Sequence, residues 1–126
     1  MSPETLLLRQ VHPSFIQKGR VSSQAFRPTP KDHALLSVYD GEQIEPAAAH
    51  QHYTDHQGLP SAGVMGVAVG ECEALELSAR PDPEPFPEHA VIDFSRFSRK
   101  ATESKAKQLR ARAEQRDWLY YEPGTR

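Results

Sequence analysis

Two stretches carry side chains whose types and spacing could do chemistry. Residues 50–56 read HQHYTDH. On a helix, His52 and His56 stand four apart and share a face, where two neutral imidazoles could donate to one transition metal. His50 points away from that pair. The glutamate of the HExxH pattern is missing, so the motif brings no general base. A third ligand would have to come from His89, Asp93 or Cys72. A polar helix flank that happens to carry histidines is the simpler explanation, and no metal is expected.

The second stretch, residues 11–44, is polar where a core segment would be apolar. It is dense in hydrogen-bonding groups: His12, Lys18, Arg20, Ser22, Ser23, Gln24 and Arg27. A histidine at a strand end, with arginine and hydroxyls close by, suits a phosphate or a carboxylate. The candidate catalytic set is therefore His12, Arg20, Ser22 and Ser23. Arg9, Arg27, Lys105 and Arg112 are candidate binding cations. The competing reading is turn chemistry, with the serines bonding their own backbone and His12 capping a strand end.

Three further features are weaker. His89 and Asp93 share a strand face but lie roughly 13 Å apart along it, too far for a direct dyad; His89 could meet His12 only across a sheet. Residues 96–116 hold eight Lys/Arg against Glu103 and Glu114. Such a run could follow a phosphate backbone. It lacks the interleaved aromatics of single-strand binders, and the whole chain has a net charge of −2, so nucleic acid is not the expected partner. Cys72 is the single cysteine and sits between Glu71 and Glu73. Neighbouring acids raise a thiol's pKa, so it is a poor nucleophile, and an intramolecular disulfide is impossible.

The elements that must position these groups follow from apolar runs and their punctuation. Residues 5–11 (TLLLRQV) read as a strand, and Pro13 and Gly19 bracket a turn. Residues 20–26 (RVSSQAF) read as strand-capable, with Val21, Ser23 and Ala25 opposite to Ser22, Gln24 and Phe26. Pro28 and Pro30 favour an extended crossing. Residues 35–39 (LLSVY) are a clearer strand, closed by Asp40-Gly41. Pro46 suits the first position of a helix over residues 47–56, with Gly58 as its stop. Residues 62–69 (AGVMGVAV) are apolar on both faces and predict a strand covered on both sides. A short strand at 74–77 is expected to pair with it. Residues 81–87 (PDPEPFP) form a loop, 90–94 a strand and 99–116 a helix, with Ala106, Leu109 and Ala113 as a narrow apolar stripe. Residues 117–121 close the chain.

Arg9 on a first strand, followed by Ser22-Ser23-Gln24-Ala25-Phe26, resembles the arginine and Ser-x-Ser parts of the ADP-ribosyltransferase pattern. The resemblance implies that Arg9 and a serine help to hold NAD as substrate. No Gln/Glu-x-Glu motif follows.

Length and composition bound the rest. A chain of 126 residues, 25% charged and 37% hydrophobic, predicts one α+β domain over residues 1–126. The expected fold is a mixed, mostly antiparallel sheet of about five or six strands, with one mid-chain helix and a basic C-terminal helix at about 99–116. No run approaches the ~20 apolar residues of a membrane span. No signal-peptide pattern is present, so a cytoplasmic setting is expected. The expected function is that of a small interaction or accessory protein. Its partner, a protein or a small anionic ligand, would dock on the 12–27 face or the basic helix, with no resident cofactor. The alternative is a small enzyme acting on a nucleotide or phosphorylated substrate through His12, Arg20 and Ser22/Ser23, ADP-ribosyltransferase-like in the resemblance above.

Overall fold

A computed structural model describes residues 1–29 and 33–122; Pro30, at the expected crossing, lies outside them. In chain order the strands are β1 (Leu6–Val11), β2 (Ile16–Gln17), β3 (Arg20–Val21), β4 (Leu35–Asp40), β5 (Gly63–Ala68), β6 (Ser78–Pro81), β7 (His89–Asp93) and β8 (Tyr120–Tyr121). The α-helices are α1 (Pro46–Gln51), α2 (Val69–Ala74) and α3 (Arg99–Arg116). Six strands form one sheet in the order β6-β7-β4-β1-β5-β8, and β2 and β3 form a separate hairpin. Every pairing is antiparallel. This is the expected α+β architecture, with α1 mid-chain and α3 near the C-terminus.

The sheet is covered on both faces. On one, Leu7, Leu36, Val67 and Ile92 pack with Ala25 and Phe26 and with the Ala106/Leu109/Ala113 stripe of α3. Two of those three helix residues are alanines, so α3 lies close to the strands. On the other face, Leu8, Tyr39 and Val64 pack with Ala49 of α1, bordered by Tyr53, Phe86 and Tyr120. The strand predicted to be covered on both sides is so: five of the six residues of β5 are buried. Each large aliphatic side chain buried this way stabilises the fold by about 1.5–3 kcal/mol before entropy is counted.

Three local expectations are corrected. Residues 20–26 are not one strand. Only Arg20 and Val21 are extended, and residues 23–26 form a 3-10 turn. The Ser22 hydroxyl accepts the Gln24 N–H and caps that turn. The turn buries the consecutive residues Ala25 and Phe26 together, which an alternating strand would not do. The strand expected at 74–77 is also absent. Residues 69–74 are helical, and the next strand, β6, pairs with β7 rather than β5. The Glu71 carboxylate accepts the Ala68 N–H and starts the helix. Glu76 then adopts a positive φ of 61°, which ends any extended run. Last, the mid-chain helix is α-helical only to Gln51; residues 52–56 continue as a π turn, and Gly58 ends the element with φ 67°.

Candidate functional site

The hairpin, the 3-10 turn and α3 meet along one edge of the molecule. There Lys18, Arg20, Ser22, Ser23, Lys107 and Arg110 line an open concavity of about 490 Å³. Each element contributes for a local reason. Lys18 and Gly19 both have positive φ, the tight turn that folds β2 back on β3. The 3-10 turn sets Ser22 and Ser23 beside α3, because Phe26 is buried against the helix stripe. Lys107 and Arg110 stand three apart, one turn of α3, and so share a face.

The electrostatics are net positive. The guanidinium of Arg20 donates Nε–H to Glu114 Oε2 at 3.1 Å and Nη2–H to Oε1 at 2.9 Å. Arg110 Nη1 lies 3.7 Å from Glu114 Oε2. The hydrogen bonds from Arg20 hold the Glu114 carboxyl below its ordinary range. One carboxylate thus stands against four cations. Arg110 Nε is buried without a hydrogen-bond partner among the described residues.

The predicted site residues divide. Arg20, Ser22 and Ser23 come together here with Lys107 and Arg110, joining the two sequence candidates in one surface. His12 does not line this concavity. Its Nδ1 accepts the Ser14 N–H at 3.0 Å, a turn cap. Arg9 donates to the carbonyl oxygens of Ala25 and Ser37 at 2.7 and 2.9 Å. Arg27 pairs with Glu103 at 3.2 Å. Lys105 donates to the Leu75 carbonyl at 2.6 Å and lies over the Phe97 ring. Arg112 is exposed on α3. Its charge also helps to hold Glu71 below its ordinary range, against burial and alongside the hydrogen bonds from Arg116.

The histidine motif resolves into separate contacts. His52 and His56 stack with ring centroids 5.2 Å apart. Burial pushes the Tyr39 phenol above its ordinary range, and its hydroxyl oxygen lies 2.7 Å from His52 Nδ1. His50 turns elsewhere, with Nε2 3.0 Å from the Ser61 carbonyl oxygen. Among the described residues no group of three or more His, Cys, Asp or Glu could hold a metal ion. Cys72 is buried, and burial pushes its thiol up to about 12, with Glu71 and Glu73 adding to the rise. Asp93 pairs with Arg80 rather than with His89.

The sequence reading passed over Ser37 and Gln10. Ser37 interrupts the apolar strand LLSVY on the same face as Tyr39, and Gln10 interrupts TLLLRQV; a lone polar residue inside an apolar strand was the available signal. No helix among the described residues is long and apolar enough to cross a membrane. Comparison with known proteins finds no matching family model, no matching curated protein and no matching solved structure.

Proposed function

We propose that the chain is a small cytoplasmic accessory protein. It docks an acidic or phosphorylated segment of a partner protein in the groove between the β2–β3 hairpin and α3. The observation that carries this reading is the convergence of Lys18, Arg20, Lys107 and Arg110 with two serine hydroxyls on one concavity. Guanidinium forks match carboxylate and phosphate oxygens two at a time, and lysines add untethered charge. The Arg20–Glu114 pair is an internal example of the same chemistry, a carboxylate held at two points by a guanidinium that lines the groove. The groove is open, which suits a chain segment more than an engulfed small molecule.

The enzymatic alternative needs an acid or base beside the bound anion. His12 was the candidate for that role, and its ring nitrogen is engaged by Ser14. The most direct mapping is nuclear magnetic resonance of the labelled chain titrated with a phosphoserine-rich peptide. Amide shifts concentrated at residues 17–23 and 107–110 support docking in the groove. Shifts confined to other surfaces, or none at millimolar peptide, contradict it.

A further inference from the structure

On the sheet face away from α3, strands β1 and β4 part company. Their recorded pairs are Leu7 with Asp40 and Leu8 with Tyr39. Continued by two residues, that register would set Gln10 opposite Ser37, both on the Leu8/Tyr39 face. The ladder stops first, and the Arg9 guanidinium takes the Ser37 carbonyl at 2.9 Å. The opening is a cavity of about 450 Å³ walled by apolar Leu8, Tyr53, Leu59 and Phe86, with Ser37, His89 and Gln10 among its polar residues.

Three of the polar groups near the cavity form a chain. Ser37 Oγ lies 3.1 Å from His89 Nε2. On the far side of the ring, Nδ1 lies 2.8 Å from the Asp82 carbonyl oxygen and 3.4 Å from the Asp82 carboxylate. A carbonyl oxygen can only accept, so Nδ1 carries the proton and Nε2 presents its lone pair to the Ser37 hydroxyl. The imidazole is held edge-on by Phe86, 5.2 Å between centroids, and is buried, whereas Ser37 is exposed. A nucleophile, a base beside it and a carboxylate behind the base is the arrangement that activates a serine.

An independent observation lies across the split. Gln10 is only 5% exposed, and its Nε2 has no partner among the described residues. Its Oε1 accepts from the Ser61 hydroxyl at 2.7 Å. Turning the amide over, with Ser61 donating to the Gly63 carbonyl instead, frees Oε1 in place of Nε2. One buried amide atom is unpaired either way, which costs about 1–3 kcal/mol unless a ligand meets it.

We infer that this cavity is an acyl-transfer site, taking carboxylic esters or thioesters of small apolar acids. Ser37 Oγ attacks the acyl carbon as His89 Nε2 takes the hydroxyl proton, and a C–O bond forms. The oxyanion is met by Gln10 Nε2–H. The bond from carbon to the leaving oxygen or sulfur then breaks, and the leaving group takes the proton from His89. Water adds to the acyl-serine in the same way, giving up a proton to His89. The acyl bond to Ser37 Oγ breaks, the proton returns to that oxygen, and the carboxylic acid leaves. Asp82 holds the ring and balances the imidazolium charge during each transfer.

Two probes test this on the whole chain: a fluorophosphonate, read by peptide mass spectrometry, and p-nitrophenyl butyrate hydrolysis. The expected result is one adduct, on Ser37, and turnover that falls about 100-fold or more in Ser37→Ala. That variant keeps the fold, because Ser37 is exposed and its hydroxyl's one hydrogen bond among the described residues is to His89. Gln10→Met should keep the adduct but lower kcat with KM held, as expected of a group acting on the oxyanion. No adduct on Ser37, or hydrolysis unchanged in Ser37→Ala, would overturn the inference.

Discussion

Arg20 and Glu114, 94 positions apart in the sequence, form a two-point ion pair that fastens the β2–β3 hairpin to α3. Both side chains are largely solvent-exposed, at 63% and 42%, so the pair does little for stability. Its larger consequence is for the groove, where it occupies a guanidinium that a ligand would otherwise use.

Glu114→Gln should therefore leave the melting temperature where it is and tighten binding of an acidic peptide severalfold, because Arg20 and Arg110 are released together. Calorimetric titration of both chains with the same peptide checks this. Weaker binding in the variant would mean that Glu114 positions Arg20 for the ligand rather than competing with it.

Val67 is fully buried in β5, between β1 and α3. Val67→Asp would place a carboxylate there with no partner prepared for it, at a cost above about 4 kcal/mol. Urea unfolding should show a chain largely unfolded in buffer. An unchanged midpoint would contradict the packing described for β5.

Asp93 predicts an acid response. Hydrogen bonds from Ser95, side chain first and then backbone N–H, together with Arg80, outweigh burial and hold its carboxyl at about 2 against an ordinary 3.8. A carboxylate depressed by folding stabilises the native state above its unfolded pKa, and that contribution disappears as pH falls through about 4 to 2. Arg80 is half exposed, so solvent screening reduces the effect to the order of 1 kcal/mol. Asp93→Asn should flatten the stability loss between about pH 5 and pH 2.5 by that amount. Equal losses in both chains would show that the depressed pKa does not stabilise the fold.

Much of this architecture was legible because apolar periodicity and punctuation agreed. The double-sided run of β5, Pro46 opening α1, Gly58 ending its π extension and the stripe of α3 all read correctly. The failures came where a side chain captured a nearby backbone group. Ser22 took the Gln24 N–H and turned an apparent strand into a 3-10 turn; Glu71 took the Ala68 N–H and made a helix of residues 69–74, which overlaps the ends of the strands expected at 62–69 and 74–77. The groove was half legible, since its two walls were each marked as polar or basic, but their meeting depends on the contact between residues 23–26 and α3. The Ser37–His89 contact was not legible, because it needs the pairing of β4 with β7.

The central claim, that the hairpin–α3 groove docks an acidic or phosphorylated protein segment, is most directly tested by fluorescence anisotropy. A short, doubly phosphorylated serine peptide is titrated at ~150 mM salt, where the Debye length is about 8 Å and long-range attraction is screened. Lys18 and Lys107 are exposed on the two walls, so Lys18→Gln/Lys107→Gln changes the groove and spares the core. The account predicts saturable binding that weakens about tenfold or more in this variant, with single-stranded RNA a poor competitor. Equal affinity in wild type and variant, or RNA bound as tightly as the peptide and lost in the variant, would contradict it.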